Sequence, residues 1–297
     1  MKKVFWLSLM IVGLGIVLFS GCQKKPLDTP SSVVSPSPAP DIRYNSYTRS
    51  HSVVHTLLIP ASSRFSVIPD VSPELSTLES FAQKHQAIAA INGGFFDPQN
   101  QKSTAYVVRQ GVLVADPRNN ERLMDNPNLA PYLEKILNRT EFRQYSCGAT
   151  VRYDIALHSE PTPTGCHLVE ALGGGPRLLP ELTSLQEGFL DFDNGLVIRD
   201  PLNSTQPNAR SAVGITGDGS ILLVMVAQKP LAPKTSGMSL TALADFMKTL
   251  GVEKAMNLDG GSSSSFYYKG KSFYGKVNDQ GHQLKRPVLS VLLVKDR

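Results

Sequence analysis

The chain has 297 residues, with 30 Lys and Arg against 25 Asp and Glu, a formal charge of +5. No basic run is interleaved with aromatic residues, which excludes the usual nucleic-acid surfaces, and mild basicity is merely compatible with an anionic ligand or lipid. Six scattered histidines lack metal-ligand spacing, since His51 and His55 fall in a strand-like segment, so no metal or cofactor is expected.

The first residues read as an export signal. Lys2 and Lys3 precede an apolar run from Val4 to Phe19, and Leu18-Phe19-Ser20-Gly21-Cys22 places small residues directly before a cysteine. The expectation is a lipoprotein signal over 1–21 with lipidated Cys22 as the new N-terminus. An uncleaved anchor and a soluble exported form are the alternatives. Two acyl chains on one cysteine suffice for stable anchoring. Residues 22–41 are rich in Pro and Ser and read as a tether. Residues 42–297 fit one domain, membrane-anchored in the cell envelope and facing the periplasm or the exterior. From Cys22 onward the balance is 28 basic to 25 acidic residues. Cys147 and Cys166 remain as a close pair, expected to form a disulfide closing a loop of about 20 residues and worth about 3 kcal/mol. Two buried free thiols are the other reading.

Within that domain, Val53 to Ile59 reads as a strand. Ser72 and Pro73 read as the start of a helix reaching His85. Ala87 to Ile91 is an apolar strand ending at Asn92, and Tyr106 to Ala115 a hairpin through Gln110-Gly111. Asn128 to Asn138 has helical spacing, and Thr150 to His158 alternates as a strand. Ser211 to Ile215 and Ile221 to Val226 form a hairpin through Gly217-Asp218-Gly219. Ser239 caps a helix with Leu240, Leu243, Ala244, Met247 and Leu250 on one face, stopped by Gly251. Val252 to Leu258, Phe266 to Tyr268 and Val288 to Val294 are further strands. The expected class is α+β, a single domain with a mixed β-sheet core and a few flanking helices.

Two tracts carry chemistry. Met256-Asn257-Leu258-Asp259-Gly260-Gly261-Ser262-Ser263 packs an amide, a carboxylate, two glycines and hydroxyls into the end of a strand. Alternation puts Asn257 and Asp259 on one face, and Gly260 and Gly261 allow close approach to the backbone. Asn92-Gly93-Gly94-Phe95-Phe96-Asp97 repeats the plan of helix, strand, Asn and Gly-Gly with a carboxylate nearby. Together they suit a polyhydroxylated or phosphorylated ligand; an Asp-Gly turn bonding its own backbone is the plainer reading. Gly173-Gly174-Gly175 beside Arg177 offers amides to an anion or is simply a loop packed on a strand. No Gly-Lys-Ser/Thr follows, which disfavours nucleotide hydrolysis. The serine run lacks a Gly-x-Ser-x-Gly elbow, which disfavours a serine nucleophile. Arg210 opens an apolar strand and needs an anionic partner, either a ligand phosphate or a carboxylate such as Asp259.

Taken together, Asn92 to Phe96, Gly173 to Pro176, Ala209 to Ile215, Gly237 to Leu240 and Asn257 to Ser263 resemble the phosphodiester glycosidase family, in the family's order and over most of the folded part. Gln228-Lys229-Pro230 and the region from Asn119 to Cys166 depart from its pattern. The resemblance implies hydrolysis of the bond between a sugar, of the N-acetylglucosamine kind, and a phosphodiester in envelope or extracellular glycans. It assigns Asp259, with Asp97 as the other carboxylate, to water activation or charge stabilisation, and Arg210 with the glycine amides to the departing phosphate. Asn92, Gly93, Gly94, Gly173, Gly174, Gly175, Asn257, Gly260, Gly261, Ser262 and Ser263 would line the substrate. The alternative is a non-catalytic envelope lipoprotein that binds glycans or glycosyl phosphates.

Overall fold

The helix from Leu240 to Thr249 connects strands Ile221–Ala227 and Val252–Asn257, which run in the same direction. They are not neighbours, because strand Arg210–Thr216 lies between them and pairs antiparallel with both. The same device recurs at helix Leu78–Lys84. It links strands Phe65–Ser76 and Ala89–Asn92, and the C-terminal strand Val288–Asp296 is inserted between them. The crossovers thus deliver Asn92-Gly93-Gly94 and Asn257-Leu258-Asp259-Gly260-Gly261 to strand ends, and among the described residues every ladder is antiparallel.

This computed structural model describes residues 41–297; the signal, Cys22 and nearly all of the tether fall outside the described residues. In place of the expected mixed β-sheet core with a few flanking helices, the described residues form three antiparallel sheets with few helices, only roughly an α+β arrangement. A central sheet orders its strands as Arg43–Thr48, Val53–Ile59, Ile221–Ala227, Arg210–Thr216, Val252–Asn257 and Arg177–Leu179. A second runs Lys271–Tyr274, Ser265–Tyr268, Ala89–Asn92, Val288–Asp296 and Phe65–Ser76. A third runs Val112–Ala115, Val107–Arg109, His167–Gly173, Thr140–Cys147 and Thr150–Leu157. A two-stranded ribbon, Asp191–Asp193 with Leu196–Arg199, stands apart from them.

The three sheets share one apolar core. Leu57, Val213, Leu223 and Met256 of the first meet Ile91, Phe266 and Leu292 of the second, and Val107, Phe142 and Leu172 of the third. Alternation along the strands turns Ala212, Val224 and Val226 the other way, under Leu240, Leu243, Phe246 and Met247 of the helix. The shorter helix covers Ala90, Val291 and Leu293 in the same manner.

Several local expectations give way to tertiary pairing. Ser72 and Pro73 lie inside the strand Phe65–Ser76, and Thr77 caps the helix by accepting from the Ser80 amide. Proline is tolerated there because the strand is a sheet edge and the register slips beside it. The helix expected over 128–138 is a 3-10 turn at Ala130–Tyr132, with Pro131 in its first turn, followed by a short α-helix at Leu133–Leu137. The Gln110-Gly111 turn has positive φ at both residues, as a tight hairpin requires. Cys147 and Cys166 are disulfide-bonded and staple the ends of two paired strands of the third sheet.

Gly214 seats the long helix on the central sheet. A Cβ there would lie 2.5 Å from Val252 Cγ1 and 2.8 Å from Met247 Cε. Gly214→Ala is expected to lower stability by about 1–3 kcal/mol through overpacking. Thermal and denaturant unfolding should register the loss; an unchanged midpoint contradicts this account of the seat.

Candidate active site

Four of the five glycine-bearing segments singled out in the sequence, those at Asn92, Gly173, Ala209 and Asn257, converge where the three sheets meet. Asp259 N–H donates to Gly93 O at 3.0 Å, and Leu258 N–H to Ser211 O at 2.8 Å. Gly175 N–H donates to Asn257 O at 2.8 Å, while Asn257 Nδ2 donates to Gly175 O at 3.0 Å. Strand ends from separate sheets are thus laced together through main chain, and the Asn257–Ser263 tract is fixed on top of the lacing.

That lacing consumes several groups expected to touch the ligand. Asn92 is buried; its Nδ2 donates to Asp259 O at 2.6 Å, and its Oδ1 accepts from Ser211 Oγ at 2.6 Å and Ser265 N at 3.1 Å. The side chain is a pin between two sheets, and its amide has no acceptor left for a sugar hydroxyl. The Gly93 and Gly94 amides go to Ser290, and those of Gly173, Gly174 and Gly175 to Tyr106, Thr140 and Asn257. These amides do not form an anion cradle. The glycines are needed for close approach instead: a Cβ at Gly94 would fall 2.3 Å from Gly173 O, and one at Gly174 would fall 2.9 Å from Asn257 O.

Arg210 is likewise engaged. Its side chain is buried, and the guanidinium donates to four main-chain carbonyls: Met238, Leu202, Asn203 and Gln206, at 2.8–3.1 Å. Burial pushes its pKa down to about 10, with Asp200 opposing. The structure thus supplies a third kind of partner, neither a ligand phosphate nor Asp259. Arg210 clamps the loop from Asp200 to Asn208 against Gly237–Met238, where Asn208 and Met238 also exchange amide hydrogen bonds.

The clamped loop and the Asn257 tract enclose a polar cavity of about 180 Å³. Pro201 and Leu202 form one wall, Asn208 and Arg210 another, and Asn257, Asp259 and Gly260 to Ser262 the rest. Asn257 and Asp259 therefore share one cavity, as strand alternation suggests, while Ser263 is buried behind it. A hollow of about 260 Å³ at the opposite end of the central sheet, beside Phe65, Tyr153 and Ile221, has no acidic side chain in its lining.

Asp259 is the only acidic residue lining the polar cavity. Burial lifts its pKa to about 6, against the pull of the nearby Ser263 hydroxyl, Arg286 and the Gly260 amide. Ser263 Oγ closes no aligned hydrogen bond, so burial dominates. Asn257 Nδ2 donates to two carbonyls, which fixes the orientation of its amide and leaves the buried Oδ1 without a partner. A buried acceptor without a partner costs about 1–3 kcal/mol, which a ligand hydroxyl or N–H that reached it would recover.

Asp97 lies elsewhere, in a turn of its own. Its Oδ1 accepts from Gln99 N at 2.8 Å and its Oδ2 from Arg122 Nε at 2.8 Å. Burial alone would raise its pKa, but these partners hold it below the usual carboxylate range. It does not line the cavity with Asp259.

Two cations beside the cavity escaped the sequence reading. Lys276 Nζ donates to Asn208 Oδ1 at 3.0 Å, and burial with Arg210 nearby lowers its pKa. Arg286 Nη1 donates to Ser262 Oγ at 2.9 Å, with the guanidinium 4.9 Å from the Phe96 ring centre. A cue for Arg286 did exist: like Arg210, it is a cation shortly before a strongly apolar strand.

Solved structures share this architecture. The catalytic domain of zebrafish N-acetylglucosamine-1-phosphodiester alpha-N-acetylglucosaminidase, auto-inhibited by its pro-peptide, superposes with a TM-score of 0.61 at 19% identity, over 86% of this chain and 83% of that one. A hypothetical protein from Synechocystis gives 0.56 at 18% identity, over 86% of this chain and 62% of that one. A putative exported protein from Burkholderia pseudomallei K96243 gives 0.50 at 18% identity, over 82% and 74%. At such identities the likeness shows the fold alone. No curated protein sequence matches. The model of the phosphodiester glycosidase family, however, matches residues 85–295, a span that holds all the converging tracts, and the chain belongs to that family.

Proposed function

We propose that the protein hydrolyses the bond between a sugar's anomeric carbon and a phosphodiester oxygen. Water adds to the carbon, the C–O bond to phosphate breaks, and a free sugar and a phosphomonoester depart. The observation that carries this reading is the solitary carboxylate of Asp259 in a polar cavity, flanked by cations and by the unpaired Asn257 Oδ1. Most glycosidases need a second carboxylic acid to protonate the leaving oxygen. A phosphate leaves as a stable anion, so one carboxylate and electrostatic stabilisation suffice. Asp259 takes a proton from water or stabilises the cationic anomeric centre, and Asn257 accepts from a sugar hydroxyl or from the N–H of an N-acetyl group. A purely glycan-binding role would not require a half-buried carboxylate with a raised pKa beside the ligand space. Turnover of an artificial N-acetylglucosamine-1-phosphodiester by the purified full-length protein tests the reaction; binding without turnover sinks it.

The apolar run before Cys22 supports a protein held at the envelope membrane, acting on extracellular or envelope glycans. Mass spectrometry of the membrane-extracted protein should find diacylated Cys22 as the first residue. An intact Met1 refutes this.

Asp259→Asn is nearly isosteric and should reduce turnover roughly 10²- to 10⁴-fold while substrate still binds. In wild type, the half-buried carboxylate destabilises the folded state above its pKa of about 6, and the penalty fades as pH falls toward 4. The variant should therefore be more stable than wild type at pH 7–8, by about 1–2 kcal/mol after allowing for solvent contact, and equal to it near pH 4. A destabilised but active Asp259→Asn removes Asp259 from the mechanism.

Activity should require the ionised carboxylate. The rate is expected to fall tenfold per unit as pH drops below about 6, and Asp259→Asn should abolish that limb. A flat wild-type profile between pH 5 and 7 contradicts the assignment.

A further inference from the structure

We propose that Arg286 is the residue that receives the substrate's phosphoryl group, the role that the sequence alone suggested for Arg210. The inference rests on the phosphodiester reading of the cavity and adds to it the residue that recognises the anion. An arginine has five N–H donors. Arg210 directs its guanidinium to four main-chain carbonyls and keeps no fork for a ligand. Arg286, among the described residues, spends one donor on Ser262 Oγ, and Ser262 lines the cavity. The remaining donors form the planar fork that matches two phosphate oxygens. Phe96 beneath the guanidinium holds it in place without using its hydrogens.

The charges around the cavity agree. Asp259 contributes one negative charge, and Arg286 lies close enough to lower its pKa. Arg210 and Lys276 stand together at the Asn208 wall. Asp200 offsets Arg210 and Asp279 offsets Lys276, so Arg286 is the cation left to meet an incoming anion. Lys276 is tied to Asn208, whereas Arg286 alone keeps a free two-pronged donor. With the phosphate on Arg286, the leaving group gains stabilisation as its negative charge grows, while Asp259 serves the sugar side.

The test uses full-length protein, inorganic phosphate as the probe, and two substrates sharing one sugar: the phosphodiester and a neutral aryl glycoside. Calorimetry should show phosphate binding to wild type, weakened about 10- to 100-fold in Arg286→Gln. The same variant should lose a similar factor in kcat/KM on the phosphodiester but less than threefold on the aryl glycoside. Arg286→Lys, which keeps the charge but not the fork, should fall between wild type and Arg286→Gln, and it decides the matter if the Gln variant does not fold. Undiminished phosphate binding in Arg286→Gln overturns the proposal, as does an equal loss on both substrates or a wild type that binds no phosphate. Should wild type hydrolyse neither substrate yet bind phosphate through Arg286, the hydrolytic reading fails and the anion site stands.

Discussion

Everything at the functional end of this molecule depends on main chain touching main chain where three sheets meet. Side chains would hold the sheets about 10 Å apart, the ordinary spacing of packed sheets. Gly93, Gly94, Gly173 and Gly174 remove that spacer at one corner, so carbonyls and amides of different sheets bond directly. Asn92 then fastens the corner with its two amide ends in two directions. A β-carbon at Gly94 would meet the Gly173 carbonyl, and the displacement would pass straight to Asp259 through the Gly93 carbonyl.

The price of this junction is a group of polar atoms buried with little room for error. Asn92, Ser211, Asn257 and Arg210 are nearly inaccessible, yet almost every donor and acceptor among them is satisfied. The exception is Asn257 Oδ1, a buried acceptor with no partner in a residue that lines the cavity. Satisfied atoms hold the scaffold rigid around it. These bonds fix the dipoles around the cavity in advance, the arrangement that electrostatic catalysis requires.

The sequence displayed the apolar hairpin 210–227, the long helix and the paired Asn-Gly-Gly tracts, because each has strong periodicity or an unusual composition over a few residues. It concealed the strand Thr140–Cys147, whose buried positions include Glu141 and Arg143. Those two neutralise each other at 2.7 Å, so a hydropathy pattern finds charge where the fold has interior. Ser72-Pro73 carried a good helix-start signal that strand pairing overrode. At the candidate site, the shared placement of Asp259 and Asn257 is legible from strand alternation, but the partners of the glycine amides and of Arg210 are not. Composition lists donors; only a fold says which acceptors stand opposite. Arg286 was missed for the converse reason, since it joins the cavity from a segment 27 residues after Asp259 that bears no motif of its own.

The clamp on the loop from Asp200 to Asn208 has a bearing on how such proteins diversify. Arg210 grips carbonyl oxygens, and every residue type supplies one. The anchorage is therefore indifferent to which side chains the loop carries at Leu202, Asn203 and Gln206. Loop sequence and loop position are decoupled: the wall can change its shape and polarity by point substitution while its main chain stays docked. A lineage, or an engineer, can retune the shape and polarity of the cavity without renegotiating the architecture that holds the carboxylate.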